Sequence, residues 1–293
     1  MGTPQFFLFL PQMRLGLDDV VARAQAAEAA GFTGIAFMDH LAPPMAETQP
    51  MFEAMTLATW VAARTETLIV SHLVLCDSFR HPSVLARQAV TLDHASGGRF
   101  ELGIGSGSVP DELAAYGVPD DGVGARVTRL GETLDLLEQY WSGQPVTFEG
   151  RHFRVDNPGQ VPVPLDRIPI VIGASRPRML DLVKRHATWW NLQITQLSLL
   201  EQLRPAVGDA RVSLQHMVSY VPDEASRAEV EGLAMKRFGM MGDGLVLGDA
   251  GQLVDHFREL IDRGVERFYV WFAYFAPIAT LEGFGAGVIS ALT

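Results

Sequence analysis

Gly97-Gly98-Arg99-Phe100-Glu101-Leu102-Gly103-Ile104-Gly105-Ser106-Gly107-Ser108 runs a short apolar strand, residues 100–104, straight into a glycine-rich exit. Glycine admits positive φ and lets a ligand approach the backbone without meeting a Cβ. Peptide N–H groups left unpaired in such a turn, beside the hydroxyls of Ser106 and Ser108, suit a phosphate. Taken alone, the stretch serves equally well as a tight strand-to-loop turn with no ligand. The rest of the chain has to decide.

Seven further β-rich runs flank this one: residues 5–10, 34–38, 68–75, 168–172, 189–194, 212–220 and 267–272. Between them lie stretches of helical period at 17–30, 52–64, 83–95, 123–141, 177–186, 197–207, 224–237 and 252–263, with a closing helix at 280–292. Gly31 ends the first helix, and Pro82 and Pro177 open others. Strand–helix alternation repeated eight times predicts parallel strands with right-handed crossovers. Eight units fit a closed α/β structure, a (β/α)8 TIM barrel, better than an open doubly wound sheet. No βαβ unit with a dinucleotide fingerprint opens the chain. The period-2 stretch around Glu149-Gly150 reads as a hairpin insertion, residues 145–165, between the fourth helix and the fifth strand. No Ser- or Pro-rich linker divides residues 1–293, which read as one domain.

Composition narrows the function. The 293 residues are 48% hydrophobic and 19% charged, enough for a substantial core. A net charge of −11 disfavours nucleic acid or an anionic membrane as partner and leaves a small-molecule substrate as the expectation. Cys76 is the only cysteine, read as a buried hydrophobe, so no internal disulfide forms. No histidine pair has metal-ligand spacing, and no metal is expected. The chain shows no basic-then-apolar leader and no apolar run of spanning length; the expected location is the cytoplasm.

In a (β/α)8 barrel the chemistry gathers at the carboxyl ends of the strands. The second strand ends in Met38-Asp39-His40, the third near Ser71-His72-Leu73, the fourth in Gly105-Ser106-Gly107-Ser108, and the fifth in Gly173-Ala174-Ser175-Arg176. All four therefore share one rim. Ser175 and Arg176 at a helix start suit a phosphate, and equally an N-cap followed by Pro177 at the first helical position. A histidine at a strand end can carry a proton near neutral pH, which makes His40 the catalytic candidate.

Together these residues resemble the bacterial luciferase-like monooxygenase superfamily over nearly the whole chain. The resemblance rests on Glu28-Ala29-Ala30-Gly31-Phe32 leading to Asp39-His40, on residues 80–88, on residues 91–107, on Arg126 and the helix 130–141, and on residues 247–253. It implies a barrel that holds a flavin or deazaflavin at the strand ends, and the Asp39-His40 pair is similar to the branch using coenzyme F420. On that resemblance Asp39 lies beside the deazaflavin, and His40 meets the substrate as proton donor or polariser. A non-proline cis peptide bulging against the cofactor ring is implied at His72-Leu73 or Leu73-Val74, which makes His72 and Leu73 expected cofactor contacts. Ser106, Gly107, Ser108 and Val109, with Gly173, Ala174, Ser175 and Arg176, would hold the phosphate and ribityl portions. The implied activity is F420-dependent hydride transfer to or from a small organic substrate. FMN-dependent monooxygenation is the alternative, and a non-catalytic binding protein a third. Superfamily members commonly pair, which adds a homodimer to the expectations. Two departures stand out. Ser108 replaces the glutamate of the sugar-phosphate dehydrogenase branch, and Ala187-Thr188-Trp189-Trp190-Asn191 replaces the family's usual Ala-Asp-Gly-Trp. Trp190 then either stacks near the cofactor or packs in the core. Phe9, Phe52, Trp60 and Tyr116 are the expected apolar lining of the substrate pocket.

Overall fold

Residues 2–44 and 46–293 are described by the computed structural model. β1 (Gln5–Phe9) leads to α1 (Leu17–Ala29) and β2 (Gly34–Phe37) to α2 (Ala54–Ala62). β3 (Ile69–His72), with its continuation β4 (Leu75–Cys76), leads to α3 (Pro82–Ser96). β5 (Leu102–Gly105) precedes α4 (Pro110–Ala115) and α5 (Val123–Trp141). An antiparallel hairpin follows, β6 (Val146–Glu149) with β7 (Arg154–Asn157). The remaining order is β8 (Ile170–Gly173), α6 (Pro177–His186), β9 (Trp189–Gln193), α7 (Leu200–Leu203), β10 (Arg211–Tyr220), α8 (Arg227–Phe238), β11 (Leu245–Gly248), α9 (Ala250–Asp262), β12 (Arg267–Phe272) and α10 (Ile278–Phe284).

Around the ring the order is β3-β2-β1-β12-β10-β9-β8-β5-β4, and every pairing is parallel. β3 and β4 are two halves of one interrupted strand, separated at the Leu73–Val74 peptide, which is cis. A parallel bridge between Val70 and Phe100 closes the ring at the lower end, with Val70 N–H donating to Arg99 O at 2.8 Å. The result is a (β/α)8 barrel. Gly103 allows that closure, because a Cβ there would collide with the carbonyl oxygen of His72.

Local sequence explains where the helices begin and end. α3 starts behind His81, whose Nδ1 accepts from Ser83 N–H at 3.2 Å, and Pro82 takes the first helical position, where no N–H is needed. It ends at Gly97, whose φ of 66° is left-handed. α9 opens on a capping box between Asp249 and Gln252. Each strand alternates between two buried faces. Phe6 and Leu8 face the helices and Phe7 and Phe9 the barrel axis, so both sets are buried and the strand reads as a continuous apolar run. Outside, Phe6, Phe257 and Phe268 meet with centroids 4.8–5.3 Å apart.

The lower barrel is plugged by charge. Arg267 Nη1 and Nη2 donate to Glu101 at 2.5 and 2.9 Å, Nε donates to Gln5 at 2.8 Å, and the guanidinium lies between the rings of Phe7 and Trp189. Such a pair tolerates burial only because nearly every donor is matched. It fills the barrel interior at the amino-terminal end.

Several expected elements are revised. α5 and α6 run as the sequence predicts, but the helix expected at 197–207 is a run of 3-10 turns around the one-turn α7. The closing helix is interrupted by a π turn at Gly285–Ile289. β11, which pairs with β10, and α4 were not expected at all.

Candidate functional site

Free space at the carboxyl ends of the strands forms a cleft of about 800 Å³. Another hollow, of about 510 Å³, lies near Trp141 and Ile168, below the amino end of β8. That face of such barrels carries stability rather than chemistry. The cleft is the candidate site.

Its β2 edge holds two differently bound polar groups. Asp39, 6% exposed, receives Arg80 Nη1 at 2.6 Å and Cys76 N–H at 2.8 Å on one oxygen, and Arg80 Nη2 at 3.0 Å on the other. Arg80 also donates to Glu53 at 2.5 Å. Burial alone would raise the Glu53 carboxyl, but donors from Thr56, Arg80 and Met55 override it and hold the group down at about 2. Arg80 thus binds two carboxylates, and Asp39 is locked as part of the wall.

His40 is held differently. Its Nδ1 lies 2.8 Å from Glu112 Oε2, while Glu112 Oε1 accepts from Leu41 N–H at 2.5 Å and Ala42 N–H at 3.2 Å. A carboxylate only accepts, so Nδ1 carries the hydrogen and Nε2 is the ring nitrogen left for a ligand. Glu112 sits in the first turn of α4, just beyond the glycine-rich exit of β5. It is a site residue that the sequence reading missed. The available signal was Pro110 followed by two acids, the pattern of a helix start.

The exits of β5 and β8 face this pair across the cleft. Gly107 has φ of 82°, and a Cβ there would lie 3.0 Å from the Cys76 sulfur. Burial pushes the Cys76 thiol up to about 11, so it sits under the loop as a neutral group. At Gly173 a Cβ would meet nothing nearer than Asn191 O at 4.0 Å; it would project into the cleft itself. Arg126, 5% exposed, binds Asp120 through Nη1 at 2.5 Å, while its buried Nε has no partner. Its Cδ would lie 3.9 Å from a Cβ at Gly107. Arg176 makes no ion pair among the described residues and stands exposed at the start of α6.

Ser106, Gly107, Ser108, Val109, Gly173, Ala174, Ser175 and Arg176 all line the one cleft with Asp39, His40, Leu73 and Phe9. His72 does not. Ser71 pairs with Ala36, which faces the barrel axis, and His72 pairs with Phe37 one step on, so its ring points outward. There Nε2 lies 3.2 Å from Ala54 O, the ring meets Phe100 edge-on, and burial drives the imidazole down to about 4. Three expected pocket residues are also corrected. Trp60 is 40% exposed on the outer face of α2, stacked under Arg64. Tyr116 is 53% exposed behind α4 with its hydroxyl on Leu41 O. Phe52 packs against the outer core, and its carbonyl accepts from Gln12. Met38, Trp271, Gln193, Gln196 and Gln215 complete the lining instead. Trp190 is fully buried with its indole N–H on Ala174 O, so it packs and does not stack on a ligand.

Among the described residues no cluster of three or more His, Cys, Asp or Glu could hold a metal ion, and no helix is long and apolar enough to cross a membrane. Residues 5–220 match the family described as luciferase-like monooxygenase. The F420-dependent glucose-6-phosphate dehydrogenase of Nakamurella multipartita is 34% identical over 175 residues, covering 59% of this chain and 51% of that protein. The F420-dependent hydroxymycolic acid dehydrogenase of Mycobacterium tuberculosis is 35% identical over 186 residues, covering 62% and 50%. The chain thus spans about half the length of these curated relatives. Among solved structures, an F420-dependent secondary alcohol dehydrogenase holding an F420-acetone adduct superimposes with a TM-score of 0.83 at 18% identity, over 100% of both chains. EDTA monooxygenase from Chelativorans sp. does so with a TM-score of 0.83 at 16% identity, over 99% of this chain and 94% of that one. At such identities the likeness is one of fold.

Proposed function

The chain belongs to the luciferase-like monooxygenase family, and on that footing we propose that it is an oxidoreductase working with coenzyme F420 on a small organic substrate. The observation that carries this is the meeting of the His40–Glu112 pair and a glycine-lined, arginine-edged cradle in one cleft. When bound, F420 gives or takes a hydride; the protein supplies distance, orientation and charge.

The residues present fit such a group. Gly173 leaves open the space that a Cβ would fill, so a flat ring system can lie against the backbone there. The unpaired Arg176 at the cleft edge suits a phosphate and its tail. Together they suit an anion with a planar head. The overall charge of −11 argues against nucleic acid or an anionic membrane as the partner.

His40 handles the proton in this reading. With Nδ1–H fixed on Glu112, Nε2 accepts a proton from a substrate hydroxyl or, once protonated, returns it to a carbonyl oxygen. Asp39 takes no part in that transfer: Arg80 donates to both its oxygens and the Cys76 amide to one of them. It holds the β2 exit against β4 and the turn that precedes α3, next to His40.

Titration with F420 and with FMN, followed by cofactor fluorescence, is the test. F420 should bind in preference, and His40→Ala should keep that affinity within about twofold while turnover falls by about 10²–10⁴. Preference for FMN would replace this reading by the monooxygenase one. Tight F420 binding with no turnover across alcohols and carbonyls would leave a binding protein.

A further inference from the structure

One wall of the cleft is made of side chains to which the proton handling and the phosphate cradle give no task. Gln193 ends β9, Gln196 follows it, and Gln215 lies midway along β10 paired with Gln193; none makes a side-chain hydrogen bond among the described residues. Beside them the rings of Phe9 and Trp271 meet edge-to-face at 5.2 Å. This wall carries no charge. Among the described residues the arginines and lysines lining the cleft are Arg176 and Arg178, on the β8 side, and Arg178 already donates to Thr128 at 2.9 Å. Arg237, which ends α8 nearby, is also engaged: it donates to Ala273 O at 2.8 Å and covers the Phe275 ring.

We infer that the substrate of this site is an uncharged molecule bearing a hydroxyl or carbonyl oxygen on an apolar frame, selected by Gln193, Gln196 and Gln215, and that a sugar phosphate is excluded. The inference rests on the F420 reading and names the substrate class for it. Each carboxamide offers an acceptor and two donors, which matches a neutral oxygen in either redox state. The Phe9–Trp271 corner covers an apolar ring or chain. A phosphate brought to this wall exchanges its water for neutral amides and finds no cation. Nor can it move across to Arg176, which the cofactor's own phosphate occupies in this reading.

The test uses the full chain loaded with F420, with cyclohexanol and glucose 6-phosphate as hydride donors and cyclohexenone as acceptor for the reduced cofactor. The neutral probes should be turned over, with kcat/KM at least about 100-fold above that for glucose 6-phosphate. Gln193→Ala and Gln215→Ala should each raise KM for the neutral probes about tenfold, with kcat held within twofold and F420 affinity unchanged. Gln193→Lys places a cation on the exposed edge of the wall and should improve glucose 6-phosphate binding by at least about tenfold. Normal F420 binding with glucose 6-phosphate equal to or better than the neutral probes overturns the substrate class alone, as does unchanged KM in both alanine variants or no turnover of either neutral probe. Absence of any F420 fluorescence change overturns the cofactor reading and this inference with it.

Discussion

Glu112→Gln isolates the pair on which proton handling depends. In the native protein one carboxylate oxygen holds the Leu41 and Ala42 amides at 2.5 and 3.2 Å, and the other receives His40 Nδ1 at 2.8 Å. Glutamine keeps an oxygen for the two backbone amides, so the loop after β2 should hold its place. It then turns an NH₂ toward Nδ1, which must become an acceptor, and the ring hydrogen moves to Nε2. The nitrogen facing substrate is thereby changed from proton acceptor to donor. A hydrogen bond to a charged group contributes about 1.5–3 kcal/mol, which is a loss of about 10–160-fold in kcat. The loss should fall mainly on alcohol oxidation, where Nε2 must take a proton, and less on carbonyl reduction, where an Nε2–H can still donate to oxygen. Steady-state turnover in both directions, with F420 affinity measured in parallel, is the assay. If kcat stays within about twofold in both directions while the cofactor binds normally, Glu112 does not orient His40 and the proton route is wrong.

Gly173→Val adds atoms to the cleft and to no protein neighbour, so F420 affinity should fall more than about tenfold with an almost unchanged melting temperature. Loss of folding, or retained affinity, would show that the ring does not lie there. Arg80→Met leaves Asp39 and Glu53 without their shared cation, and urea unfolding should show a loss of about 3–5 kcal/mol. His72 predicts acid sensitivity. Burial lowers its folded-state pKa from 6.5 to about 4, so its contribution is fully present above pH 6.5 and declines as pH falls toward 4. Between pH 7 and pH 5 this amounts to about 2 kcal/mol. His72→Gln, which cannot titrate, should lose correspondingly less between those pH values in urea melts, and an identical loss in both proteins would refute the assignment.

Periodicity and punctuation wrote much of this architecture into the chain. Residues 123–141 have one apolar stripe bounded by Gly122 and Ser142 and could fold only as α5, and the period of the strands fixed their alternation with helices. Leu245–Gly248 escaped because four apolar residues without alternation look the same in a strand, a loop or a buried turn. α4 escaped for its length: six residues give no periodic signal, and Glu112 was lost with it. The carboxyl-end rule was enough to bring His40, Ser106 and Ser175 to one rim.

Which face each side chain takes was another matter. His72 and Leu73 are chemically plausible neighbours of a ligand, but one step of strand register sends the first to the outer core and the second to the cleft. Trp60 and Tyr116 are as aromatic as Phe9, yet only Phe9 lies on a strand face that looks down the barrel axis. Short-range sequence thus determined the elements, their order and the end at which chemistry gathers, because those follow from local propensity and a right-handed crossover. Partner choice belonged to the folded chain: Glu112 reaches His40 across 72 residues, and Arg267 reaches Glu101 across 166. Contacts between residues that far apart depend on how strands close into a ring, and no local pattern records that closure.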